Sequence, residues 1–244
     1  MREALSRLAA LAALFVLPLS ANAQTKPLRH LVYAFTWGTT SNLQMQNSGM
    51  TQNGGTTGSG MSDFGGGTQD RGTITVDVLR EQQDRGLVIS VSEQAHGQRS
   101  APATTCVVFG NTNVICDSNG KVNAEELALV RLLGAAFVDP AQLDAKRHRQ
   151  VSQNAPGFTT VSDFVIAQNA AGVMTIVETR TVTGTGSRPY TRNVTATIGY
   201  DFNKTIPTTI NEDAIERSEG VNQYRVVKSQ TTLQLEGDSM AAHP

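Results

Sequence analysis

The chain has 244 residues, 39% of them hydrophobic and 17% charged, and a formal net charge of −1. So small a charge sets up no long-range field, which excludes nucleic acid and anionic membrane surfaces as partners held by electrostatics. The length suits a single domain with a sizeable core.

The chain opens Met1-Arg2-Glu3-Ala4-Leu5-Ser6-Arg7, runs through an apolar stretch from Leu8 to Leu19 and reaches Ala21-Asn22-Ala23. A positive start, a short apolar run and a small-x-small triplet predict a secretory signal over residues 1–23. The apolar run falls short of the about 20 residues that a membrane-spanning helix needs. Gln24 stands where a bacterial lipoprotein carries Cys, so no lipid anchor is expected. Cleavage removes two arginines and one glutamate and moves the formal charge to −2. The mature chain is expected to be a soluble periplasmic or extracellular protein with no transmembrane segment. Its predicted layout is one β-rich domain over residues 24–236 and a disordered tail over 237–244.

Leu31, Tyr33, Phe35 and Trp37 alternate with smaller residues, which predicts a strand with one large apolar face. Residues 38–68 hold nine Gly and three Met among many Ser, Thr, Asn and Gln. Such a segment buries too little surface to offset the entropy of ordering it, and it reads as a flexible loop. Strands follow at Thr73–Leu79 and Leu87–Glu93. Thr105–Phe109 and Asn113–Asp117 then bracket a tight turn at Gly110-Asn111-Thr112. A helix is predicted at Ala124–Val138, capped by Asn123 with Glu126 three residues on. A second short helix is predicted over 140–150, capped by Asp139 with Pro140 at its first position. Later strands are Thr159–Gln168, Val173–Val182, Tyr190–Tyr200, Thr205–Ile210, Tyr224–Val227 and Thr231–Leu235. An acidic helix fits between Asn211 and Gly220.

Eleven of the fifteen residues from Ala124 to Val138 are Ala, Leu, Val or Phe, so this helix lacks the polar stripe of a surface helix and calls for cover on most sides. Nine or ten strands laid flat at about 4.8 Å spacing are far wider than one helix. The expected fold is therefore α+β and mainly antiparallel: a curved sheet or incomplete barrel of about nine or ten strands wrapped around one apolar helix. That shape resembles the LolA/LolB-type periplasmic lipoprotein carriers, in which a curved sheet is closed by helices over an apolar cavity. The resemblance is of architecture alone and assigns no residue a role.

Cys106 and Cys116 lie five residues either side of Asn111, facing each other across the predicted hairpin. Opposed positions in a hairpin are within disulfide reach, and an exported chain meets an oxidising compartment. A redox-active pair would call for closer spacing such as C-x-x-C. Asp117, Asn119, Gly120, Asn123 and Glu126 resemble the later part of an EF-hand loop, but Ile115 stands at its first ligand position and leaves too few oxygens. A turn followed by a capped helix accounts for the same residues. The four histidines are scattered, and no hydrolase or phosphate-binding motif occurs. No catalytic residue, metal or cofactor is assigned.

Two functions from different classes fit. The first is an exported, non-enzymatic binding or carrier protein that holds a hydrophobic or lipid-like small molecule against Phe35, Trp37, Phe137 and Tyr200, between helix and sheet. The second is a structural or protein-interaction module of the envelope, which engages another envelope protein through an exposed strand edge and the Gly-rich segment.

Overall fold

The computed structural model describes residues 27–45, 63–82, 86–97, 99–109, 112–117, 122–133, 143–155, 157–168, 173–186, 188–220 and 223–239. They form one antiparallel sheet of eleven strands and one helix. The elements are β1 (Arg29–Met45), β2 (Asp63–Gln82), β3 (Gly86–Ala95), β4 (Thr104–Val108), β5 (Val114–Cys116), α1 (Ala124–Val130), β6 (His148–Ala155), β7 (Phe158–Gln168), β8 (Val173–Gly184), β9 (Tyr190–Asp201), β10 (Ile206–Gly220) and β11 (Gln223–Asp238). The sheet order is β5-β4-β3-β2-β1-β11-β10-β9-β8-β7-β6. Two meanders, β1 to β5 and β6 to β11, thus join where the first strand pairs with the last.

Alternation decides the faces. Val194, Ala196, Ile198 and Tyr200 of β9 are buried, while Asn193, Thr195 and Thr197 are exposed, as the sequence pattern requires. One core cluster joins Leu31, Tyr33 and Phe35 of β1 to Ile74 and Val76 of β2, Ile176 of β8, Ile198 of β9 and Leu233 of β11, with Leu129, Val130, Leu132 and Leu133 packed among them. Arg29 secures the β1–β11 seam, donating to both carboxylate oxygens of Asp238 at 3.0 and 2.8 Å and to the Lys204 carbonyl at 2.6 Å. Gln153 of β6 donates to the Thr112 hydroxyl just before β5, at 3.3 Å. β5 and β6 are the two edges of the sheet. Laid flat, they would be roughly 48 Å apart, so the sheet bends between them.

Cys106 and Cys116 stand directly opposite in the β4–β5 pair and form a disulfide. Asn123 caps α1: its side chain accepts from the Glu126 N–H at 2.8 Å, and Glu126 accepts from the Asn123 N–H at 2.9 Å. The helix is shorter than its apolar run predicted, ending in a turn at Arg131 and Leu132; residues 134–138 lie outside the described residues. Its cover is also less complete, since Leu127 is 44% exposed.

Four further expectations are corrected. The 38–68 loop is invaded from both ends, because Gly38–Met45 continues β1 and Asp63–Thr68 continues β2. Ladder hydrogen bonds come from the backbone, and these residues pair without needing large side chains. Of the second helix, expected over 140–150, residues 140–142 lie outside the described residues, and the rest form a turn and then the start of β6. Asp144 accepts from the N–H groups of Lys146 and His148, and Arg147 has φ 60°, which no α-helix permits. The acidic helix at Asn211–Gly220 is instead the outer half of β10, held by ladders to β9 and β11. Tyr224–Val227 and Thr231–Leu235 belong to one strand, β11, which also takes in Gly237 and Asp238 of the expected tail; residues 240–244 lie outside the described residues.

Candidate functional site

Of the four residues expected to line an apolar cavity, Phe35 and Tyr200 are 4% and 0% exposed and sit inside the core cluster. The Phe35 ring lies over Gly72, where a Cβ would fall 2.7 Å from its Cε1 and 2.2 Å from the Gln94 carbonyl oxygen. The neighbouring Tyr33 donates its phenol to the Pro207 carbonyl at 2.8 Å. Burial raises the Tyr33 and Tyr200 phenols well above their ordinary range. These side chains belong to the buried core cluster. Trp37 is only partly buried, at the rim of the cluster. Phe137 lies outside the described residues.

Just beyond that rim the inner face turns polar. Glu178 of β8, Ala196 of β9 and Glu212 of β10 stand in register across three strands, with small Ala196 leaving room between the two carboxylates. Arg131 reaches from the end of α1 to both oxygens of Glu178, at 2.7 Å to Oε1. Arg180 bridges Glu178 at 3.3 Å and Glu212 at 2.9 Å, and Arg192 contacts Glu212 at 3.3 Å. Burial alone would raise the Glu178 carboxyl, but Arg131 and Arg180, with a hydrogen bond from Ser162, hold it at about 2. Glu178 is thus held ionised, and both carboxylates are committed to arginines. The network ties α1 to β8, and β8 to β10.

At the far end of α1, Asn123 also donates to Glu93. Burial raises the Glu126 carboxyl above its usual range, against the hydrogen bond from the Asn123 N–H. Glu126 is engaged as a helix cap, as the turn-and-cap interpretation of the EF-like stretch expects, and residues 118–121 lie outside the described residues. No group of three or more His, Cys, Asp or Glu fit to hold a metal occurs among the described residues.

The remaining feature is the arm formed by the outer halves of β2, β1, β11 and β10. β3 pairs with β2 only from Gly72 to Gln82, while β1 pairs with β2 from Val78 back to Asp63. Over 63–71, β2 therefore has β1 on one side and no strand on the other among the described residues. The Arg71 carbonyl accepts from the His96 N–H at 2.7 Å, on the side away from β1. Strand parity then points the backbone groups of Gln69, Gly67 and Gly65 to the open side as well. The Arg71 N–H is covered by the Asp70 carboxylate at 2.7 Å. The open edge thus starts at Gln69.

A groove of about 630 Å³ crosses the same arm. Two rows line it. Gln69, Gly38, Gln230 and Asp213 stand side by side on β2, β1, β11 and β10; Gly67, Thr40, Lys228 and Ile215 form the next row. All but Gly38 are exposed, so the groove lies on the face turned away from the core. The glycine content of 38–68 is the sequence signal for this region; composition points to a loop, whereas the described parts, Gly38–Met45 and Asp63–Thr68, make an edge and a groove floor, and residues 46–62 lie outside the described residues.

Comparison with protein-family models finds no match, and comparison with curated proteins finds no relative.

Proposed function

We propose that this chain is an exported, non-enzymatic interaction module that recruits a partner polypeptide by strand addition to the open edge of β2. The single observation that carries this is the run from Asp63 to Arg71, hydrogen-bonded to β1 on one side and unpaired by any strand on the other among the described residues. An unpaired edge presents a row of N–H and C=O groups that an extended segment satisfies, giving affinity through the main chain. Edges are commonly blunted by charge, Pro or a covering loop. Here Asp70 covers one N–H, and three glycines, Gly65 to Gly67, lie further out along the edge. Export is supported by the signal-like start and by the disulfide, which persists in oxidising compartments. No helix among the described residues is long and apolar enough to cross a membrane.

The carrier alternative, on the LolA/LolB pattern, places an apolar ligand between α1 and the sheet. Its support is the half-buried Trp37; against it, Phe35 and Tyr200 are enclosed by the protein's own core.

Gln69→Pro removes an edge N–H without touching the ladder to β1. Wild-type protein used as bait on the extracytoplasmic fraction of its source should retain a partner that Gln69→Pro does not. Hydrogen exchange on that complex should protect the amides of Gly65, Gly67 and Gln69. Equal retention by both proteins, or protection mapping elsewhere, would overturn the proposal. Saturable quenching of Trp37 by a fluorescent fatty acid would replace it with the carrier.

A further inference from the structure

We infer that the groove on the arm is a binding site for a neutral, polyhydroxylated ligand, an extended oligosaccharide. This goes beyond strand addition and does not rest on it: the groove is built from side chains on the face of the arm, not from the backbone groups of its edge.

Size and shape come first. The volume of about 630 Å³ falls within the usual range of ligand sites, roughly 300–1,000 Å³. Four strands at about 4.8 Å spacing make the trough roughly 14 Å long from β2 to β10, and its two rows lie about 7 Å apart. Its floor is open because Gly38 and Gly67 carry no side chains in a region where their neighbours do.

The chemistry of the walls then selects the ligand. Asp213 and Lys228 balance each other, so no net charge draws an anion or a cation. The Gln230 amide donates to Asp213 Oδ1 at 2.9 Å, which orients its carbonyl oxygen as an acceptor. Gln69 offers a second amide, and Thr40 offers a hydroxyl. These groups both donate and accept, as sugar hydroxyls do. Most of the lining surface is carbon and suits the C–H faces of sugar rings, while a hydrocarbon would leave these amides and the hydroxyl without partners. A phosphate would face the Asp213 carboxylate. Ile215, 38% exposed, supplies an apolar patch for the C–H face of a sugar ring.

Amide chemical shifts of the disulfide-bonded protein, titrated to millimolar concentration, test this. The probes are cellotetraose, chitotetraose, laminaritetraose and maltotetraose, with inorganic phosphate and decanoate as charged and apolar arms. At least one tetrasaccharide should shift the amides of Gly38, Thr40 and Gln230 saturably, and phosphate and decanoate should not. A Cβ at Gly38 meets only the Thr68 carbonyl oxygen, at 4.0 Å, so Gly38→Leu folds while its side chain occupies the floor. It should weaken that binding at least about tenfold. Gly66→Ser, where an added Cβ meets nothing within 4 Å, stands in neither groove row and should leave binding unchanged. The inference is overturned if no tetrasaccharide shifts these amides, if Gly38→Leu binds as wild type does, or if phosphate or decanoate reproduces the shifts.

Discussion

The two ends of the same four strands have opposite characters. At one end β1, β2, β10 and β11 present Leu31, Tyr33, Phe35, Ile74, Ile210 and Leu233, all buried, to α1 and the rest of the sheet. At the other end the inward positions are Thr39, Ser41, Thr68, Ala214 and Ser229. Pairing runs on without a break where the inward side chains are mostly small or polar, with Leu43 and Val227 as larger, part-buried ones. Backbone hydrogen bonding is enough to continue a strand whose root is anchored, whereas anchoring needs apolar burial. The arm's side chains contribute little to the core and are available for binding. Where the two regions meet stands the network of Arg131, Glu178, Arg180, Glu212 and Arg192.

Cutting that junction should have the largest effect. Arg131→Ala removes the cation that reaches Glu178 from α1 and leaves the buried carboxylate with Arg180 and the Ser162 hydrogen bond. Losing one partner of a buried pair costs about 3–5 kcal/mol, read as a lower urea midpoint. The same pair sets an acid limit. The Glu178 carboxyl sits at about 2 in the folded protein against an ordinary 4.5, so its contribution is complete above about pH 5 and is lost as the pH falls toward 2. Acid titration of the wild type should show a loss of stability in that window, and Glu178→Gln should flatten it.

Adding a methyl group at each end sharpens the contrast. Gly72→Ala, in the packed end, drives a Cβ into the Gln94 carbonyl and the Phe35 ring and should cost about 3 kcal/mol. Gly66→Ala, in the arm, meets nothing within 4 Å and should stay within about 0.5 kcal/mol of wild type. Equal costs would mean that the arm is packed as tightly as the core. Between these values falls the disulfide. Replacing Cys106 and Cys116 together by Ala should cost about 2.5–3 kcal/mol, since the bridge closes a loop of only about eleven residues. Thermal melts of oxidised wild type and the double variant measure it.

Much of the sheet was legible along the chain. Alternation in Tyr190–Tyr200 assigned both faces of β9, the symmetric spacing about Asn111 paired the cysteines, and Asn123 with Glu126 marked the start of α1. What failed was local inference about polar segments. Asn211–Gly220 looks helical because it is acidic and poor in large apolar residues, yet Glu212 points inward to Arg180 and Arg192, which are distant in sequence. The apolar cavity meets a related limit of local inference. Alternation marks Phe35 and Tyr200 as inward, and both are buried in the core cluster, but whether a large side chain lines a void or fills one depends on what packs against it from other strands.

Periodicity, turn residues, cap residues and cysteine spacing are local signals, and each acts through neighbours within a few residues, so strand identity, face assignment, the hairpin disulfide and the helix start could be read from the chain alone. Pairing of β1 with β11, partnering of Glu178 with Arg131, and the ending of β3 before β2 all depend on residues brought together from far apart. Those long-range pairings created the open edge and the groove: a glycine-rich run has no structure of its own to announce, and it became a strand because the anchored strands beside it offered their hydrogen bonds.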